Sequence, residues 1–282
     1  MSPSVVRISD CAGFCWGVER ALEVTLRAAD EATAPVNTLG PLIHNPSVIA
    51  DLEARGVGVI ADPSEAHAGT VILRSHGVPK HMREQLSAAD VTVVDATCPF
   101  VTAAQEKAAR LKEHGYLVVI LGEREHPEVL GLRSYAGGDS LVVESPEDLP
   151  PKLPSKRIGV VVQTTQSQER LSELVSHLAP LARELLVHNT ICNATEQRQS
   201  AARAMASEVD VVIVVGGRNS GNTRRLAELC LVQQPRTYHV ESPAEIDPEW
   251  VRGARVVGIT AGASTPPEQI EAVAAAVRGM KP

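Results

Sequence analysis

The sequence predicts an α/β protein made of three pseudo-equivalent modules, each with a mostly parallel sheet. Three observations carry this. Short, near-continuously apolar runs recur from end to end, as in parallel strands covered on both faces. Amphipathic helical stretches separate most of them. Several distinctive local patterns repeat along the chain in one shared register.

The strands are expected at Val5–Ile8, Val36–Leu39, Val57–Ile60, Thr70–Leu73, Val91–Val94 and Leu117–Leu121. The series continues at Leu141–Val143, Ile158–Val162, Leu185–Val187, Val211–Val215, Thr237–Val240 and Val256–Ile259. Each run is β-branched and too short for a helix. Helices are expected at Val101–His114 and Gln168–Leu181 among others, where apolar residues return every three or four positions.

Three strands end in an Asp/Ser-Pro step followed by an acid: Asp62-Pro63-Ser64-Glu65, Ser145-Pro146-Glu147 and Ser242-Pro243-Ala244-Glu245. That chemistry reads as a capped helix start with proline in its first turn. The prolines lie 83 (63 to 146) and 97 (146 to 243) residues apart, and Cys15, Cys98 and Cys192 lie 83 and 94 apart. Leu39-Gly40, Leu121-Gly122 and Gly216-Gly217 keep similar offsets. The modules are therefore expected at 14–97, 98–191, and 192–282 with the N-terminal strand of 1–13. About twelve strands in three registers fit a (β/α)₈ barrel poorly.

Composition narrows the function. With 2% aromatics and dispersed lysines and arginines at a net charge of −7, a base-stacking or phosphate-tracking nucleic-acid surface is not expected. No apolar run reaches the roughly 18 residues of a membrane span. Met1-Ser2-Pro3-Ser4 leads straight into a strand without a targeting segment, so a cytoplasmic location is expected.

An odd number of cysteines, five, is a poor disulfide framework. Taken singly, each reads as a packed thiol. Cys15, Cys98 and Cys192 differ because each occupies the equivalent place before a helix, where the thiolate that metals bind is favoured. Three modules facing one axis would bring three thiolates together. Zinc and an iron–sulfur cluster are both open at this point. Cys230 sits in the apolar stretch Leu226–Val232 and Cys11 lies out of register; both read as structural.

The remaining strand ends are dense in neutral hydrogen-bonding groups: His44-Asn45, Ser75-His76-Gly77, His126-Pro127-Glu128, Gln163-Thr164-Thr165, Asn219-Ser220-Gly221-Asn222 and Ala261-Gly262-Ala263-Ser264. Any one of them reads as a cap or turn. Six at the same end of successive strands fit a diphosphate, the kind of anion that helix N-termini hold. Glu128 is the conspicuous carboxylate.

Taken in order from Cys15 to Ser264, these motifs resemble the 4-hydroxy-3-methylbut-2-enyl diphosphate reductase family, the last enzyme of the methylerythritol phosphate route to isoprenoids. The resemblance implies three modules around a central [4Fe–4S] cluster, held by Cys15, Cys98 and Cys192 with one iron open to substrate. It places His44, His76, His126, Thr164, Ser220, Asn222 and Ser264 around the substrate. Glu128 would be the proton source, helped by Thr164 or Thr165. It further implies a ferredoxin or flavodoxin as electron donor; no flavin or nicotinamide motif is present. Gly221 stands where some members have serine, so only its backbone N–H is on offer. Two other readings use the same residues: a zinc lyase or hydrolase, and a non-catalytic diphosphate binder. An intact Glu128 beside His126 argues against the second.

Overall fold

The computed structural model describes residues 5–280. The expected lead-in Met1–Ser4 lies outside them. The chain opens with β1 (Val5–Ile8) and α1 (Trp16–Glu31), then β2 (Val36–Leu39), α2 (Pro46–Ala54), β3 (Val57–Ile60), β4 (Thr70–Leu73), α3 (Lys80–Ser87) and β5 (Thr92–Asp95). Next come α4 (Pro99–Glu113), β6 (Leu117–Leu121), α5 (Pro127–Ala136), β7 (Leu141–Val143), β8 (Arg157–Val162), α6 (Gln168–Leu178) and β9 (Glu184–Val187). The last stretch holds α7 (Asn193–Ala206), β10 (Val211–Val215), α8 (Gly221–Gln233), β11 (Thr237–Val240), α9 (Pro248–Val251), β12 (Val256–Ala261) and α10 (Pro267–Gly279).

These strands form three sheets of four, ordered β3-β2-β4-β5, β7-β6-β8-β9 and β11-β10-β12-β1, and every pairing is parallel. The first strand of the chain thus completes the sheet of its last.

The chain forms two compact units. One carries β1, His44–Val48 and everything from Asn193 onward; the other runs through Gly17–Ile43 and Ile49–Cys192 and holds two of the sheets. In the first unit, alternate residues of β10 face opposite layers. Val211, Ile213 and Val215 pack with Ile270, Val273 and Val277 of α10, while Val212 and Val214 pack on Ala202 and Met205 of α7 and Leu226 of α8. The second unit repeats the plan. Ile158, Val160 and Val162 of β8 meet Leu171, Leu174 and Leu178 of α6, and Val161 joins Ala104, Ala108 and Leu111 of α4. This is the side-chain alternation that a strand buried on both faces requires.

Several local expectations shift: α4 runs Pro99–Glu113, not Val101–His114, and β8, β9 and β12 are longer than expected by one, one and two residues. β5 runs Thr92–Asp95, not Val91–Val94, because its ladder with β4 begins at Thr70↔Thr92 and closes at Leu73↔Asp95. The helix expected to reach Leu181 stops at Leu178: Ala179 still has helical backbone and bonds Val175 O, but Pro180 supplies no N–H for the next bond. The three Asp/Ser-Pro starts are single 3₁₀ turns: Pro63–Glu65, Pro146–Asp148 and Pro243–Glu245.

Candidate active site

Each sheet ends in the same hydrogen bond. The edge strands β1, β5 and β9 run on into the three cysteine loops. There each cysteine N–H crosses to a carbonyl two residues beyond the neighbouring strand. Cys15 donates to Ala263 O (3.1 Å), Cys98 to Ser75 O (2.9 Å) and Cys192 to Thr164 O (3.1 Å). The strands beside them, β12, β4 and β8, end at Ala261, Leu73 and Val162. The threefold register therefore extends to the backbone bonds that fix the cysteine arms.

Helices α1, α4 and α7 each begin at the residue after the cysteine. A thiolate there meets unpaired N–H groups and the positive end of the helix dipole. Cys15, Cys98 and Cys192 carry thiols, not disulfides, and all three are partly exposed. Such soft donors suit an iron–sulfur cluster, and zinc as well. Cys230 is different: it is fully buried in α8, and burial pushes its thiol up to about 12, so it stays protonated and packs.

In the second unit, Thr164 is the hub. Its N–H donates to Glu128 Oε1 (2.6 Å) and its hydroxyl to Glu128 Oε2 (2.8 Å), while its carbonyl receives the Cys192 N–H. Glu128 is 1% exposed. Burial pushes its carboxyl up to about 7, against the opposing effect of the two Thr164 bonds. His126 is the N-cap of α5, and its Nδ1 accepts the Glu128 N–H at 3.2 Å. A neutral imidazole accepting at Nδ1 carries its proton on Nε2, so it presents a donor from the far side of the ring. The His76 ring stands edge-on to it, centroids 5.6 Å apart. The Thr165 hydroxyl accepts from Gln163 Nε2 at 2.9 Å.

In the first unit, Ser264 Oγ donates to His44 O at 3.1 Å. Gly217 lies against that same carbonyl, and an added Cβ would come within 2.9 Å of it. Ser220 is the N-cap of α8, accepting from Thr223 N–H. Asn222 lies in the first turn of α8 and is 4% exposed; among the described residues neither amide atom has a hydrogen-bond partner.

Two side chains make long-range bonds that no local motif predicts. Asn45 caps α2 through Ser47 and Val48 and donates to Gln269 Oε1 at 3.0 Å. Arg198, on α7, donates to the carbonyls of Gly13 and Phe14. A signal for the second exists: Thr195, Arg198, Gln199, Ala202 and Met205 follow helical spacing, which puts an arginine on a buried face.

Comparison with known proteins gives one answer along the whole chain. The family model described as LytB protein matches residues 6–278. The chain is 46% identical over 276 residues to 4-hydroxy-3-methylbut-2-enyl diphosphate reductase of Anaeromyxobacter sp. (strain Fw109-5), covering 98% of this chain and 97% of the relative. It is 50% identical over 263 residues to the enzyme of that name from Geobacter sulfurreducens, covering 93% of each. A solved structure of (E)-4-hydroxy-3-methyl-but-2-enyl diphosphate reductase, described as the terminal enzyme of the non-mevalonate pathway, shares 44% identity. It superposes with a TM-score of 0.71, covering 97% of this chain and 99% of that one. The E-1-hydroxy-2-methyl-but-2-enyl-4-diphosphate reductase of Plasmodium falciparum superposes with a TM-score of 0.88 at 26% identity, covering 95% and 86%.

Proposed function

The chain belongs to the LytB protein family, that of the 4-hydroxy-3-methylbut-2-enyl diphosphate reductases, and on that footing we propose how its own residues carry the reaction. The reaction reductively removes the hydroxyl of (E)-4-hydroxy-3-methylbut-2-enyl diphosphate, giving isopentenyl and dimethylallyl diphosphates. The allylic C–O bond breaks, two electrons and two protons enter, one new C–H bond forms and water leaves.

Cys15, Cys98 and Cys192 are the proposed ligands of a [4Fe–4S] cluster. When bound, that cluster supplies electrons one at a time and, at an iron without a protein ligand, a Lewis-acid position for the substrate hydroxyl. A small one-electron carrier of the ferredoxin or flavodoxin kind is the proposed donor.

Proton supply falls to Glu128, and its pairing with Thr164 is the observation that carries this reading. A backbone N–H cannot accept, so Oε1 is held as an acceptor. The acidic proton therefore rides on Oε2, facing the Thr164 hydroxyl. That hydroxyl, which donates to Oε2 when the carboxylate is ionised, rotates to accept this proton and so frees its own to pass on. A carboxyl raised to about 7 holds its proton near neutral pH and still releases it, which is what a general acid needs. His126 offers Nε2–H as a neutral donor to an oxyanion. The Asn222 amide supplies a buried donor without a partner among the described residues, and that suits a phosphoryl oxygen. Ser264, Ser220, His44 and His76 complete the proposed substrate contacts.

The test is Glu128→Gln, with turnover normalised to cluster iron. The variant is expected to fold, load iron and bind substrate, while turnover falls by ~10²–10⁴-fold. Near-normal normalised turnover would move the acid elsewhere. Iron and sulfide analysis of anaerobically purified protein separates cluster from zinc: iron without sulfide, or zinc alone, sinks the cofactor assignment.

A further inference from the structure

Arg198 is a buried cation whose partners carry no charge. It is 7% exposed. Its Nη2 donates to Gly13 O (2.8 Å) and Phe14 O (3.0 Å), its Nη1 donates to Ala194 O (3.1 Å), and its Nε has no partner among the described residues. Among the described residues no carboxylate pairs with it. Carbonyl dipoles recover part of the lost hydration, but a whole positive charge remains uncompensated in a low-dielectric setting.

What it holds is the lead-in to Cys15. Gly13 and Phe14 are the two residues before that cysteine, and Gly13 sits at φ +103°, where a side chain would be strained. With Cys15 N–H on Ala263 O, the arm is tied on both sides of the thiol-bearing residue.

The device occurs twice. Arg20, on α1, donates to Thr97 O at 3.2 Å, the carbonyl directly before Cys98, and more weakly to Asp95 O at 3.5 Å. Arg198 lies six residues after Cys192 and serves Cys15; Arg20 lies five after Cys15 and serves Cys98. A guanidinium on the carbonyl preceding a cysteine is thus a repeated feature of these arms. Cation and thiolate are opposite charges, and in a buried setting their interaction is weakly screened.

We propose that Arg198 is a positioning residue that holds the Cys15 arm and supplies the positive charge complementing an anionic iron–sulfur centre there, raising its reduction potential. Arg20 plays the same part, more weakly, for Cys98. This rests on the reading of Cys15 and Cys98 as cluster ligands. The sign follows from charge: the reduced centre is one unit more negative, so a fixed cation favours it. Burial, nearby charge and hydrogen bonding are known levers on such potentials.

The experiment is an EPR-monitored potentiometric titration of the full-length, anaerobically reconstituted protein, with iron and sulfide counted in each sample. Arg198→Gln is expected to lower the reduced-to-oxidised ratio at the wild-type midpoint at least tenfold, which is about 59 mV for a one-electron couple. Arg198→Lys keeps the charge and is expected to stay nearer wild type. Arg20→Gln is expected to shift in the same direction by less, and exposed Arg55→Gln not at all. A loaded Arg198→Gln protein with the wild-type potential overturns the proposal. Should Arg198→Gln hold no iron, the Lys variant decides. Normal iron at the wild-type potential supports the charge role, whereas loss of iron with the fold intact by circular dichroism overturns it in favour of geometry alone. Wild-type protein that takes up no cluster fails the ligand assignment itself, a result distinct from all of these.

Discussion

Burial decides the charge state of Glu128, and it does so at a cost that pH can read. The unfolded carboxyl titrates near 4.5; the folded one is raised to about 7. Between these values the folded chain binds the proton and the unfolded chain does not, so stability falls as pH rises through that window and levels off above it. The total is roughly 3 kcal/mol by the usual conversion. Glu128→Gln should remove this slope, and denaturant titrations of both proteins from pH 4 to pH 8 would check it. A difference that stays flat across the window would show that the group ionises as in water. Asn222 makes an opposite case. Its buried amide makes no bond among the described residues, so Asn222→Ala should leave the thermal midpoint unchanged or higher while weakening substrate binding by ~1–3 kcal/mol. Ser264→Ala should weaken binding similarly but also lose a bond to His44 O. Calorimetric binding and melting, run on both variants, distinguish the two. Glu128 was legible in the sequence as a carboxylate among neutral loops. Its capture by Thr164 rather than Thr165 was not, because adjacent loop residues differ only in where the backbone turns.

At the scale of elements, the strands were readable because a strand covered on both faces must be apolar along its whole length, and few other segments are. Their ends were less so: β5 is set one residue along by its partner β4, which no local pattern encodes. The expected side-chain cap forms at Asp62 before Pro63 but not at Ser145 or Ser242, and capping in any case marks a start and says nothing of length. The cysteine arms were legible through spacing alone, and their shared backbone bond gives each the same mechanical role. Cys15→Ser, Cys98→Ser and Cys192→Ser should therefore each lose most cluster iron with the fold retained, while Cys230→Ser keeps it; iron per chain and circular dichroism are the readouts. Full iron in any of the first three would remove that residue from the ligand set. Packing between elements is also testable at Gly122, which follows β6. An added Cβ would meet Val129 Cγ2 at 2.6 Å and Gln163 at 2.8 and 2.9 Å. Gly122→Ala should cost ~1–3 kcal/mol through overpacking, seen as a lower urea midpoint with an unchanged slope.

For the whole molecule, the repeat is not three consecutive blocks. β1 pairs with β12 from Val5↔Val256 to Ile8↔Ile259, closing the edge of the last sheet. Removing residues 1–8 would bare that edge of β12, where an unpaired row of backbone groups invites association. The truncated chain is expected to aggregate during expression or on warming, as light scattering would show; a monodisperse product would mean β1 is dispensable. No described helix is long and apolar enough to cross a membrane. The same pairing sets an order in time. On the ribosome, the Cys98 arm can close once Ser75 and β5 have emerged, and the Cys192 arm once Thr164 and β9 have. The Cys15 arm, made first, has nothing to close on until β12 and Ala263 appear, some 248 residues after Cys15 (15 to 263). At ~5–20 residues per second that is a wait of roughly 10–50 s. Of the three proposed ligands, the first to be made is thus the last to be fixed, and on that reading complete metal loading has to wait for Ala263.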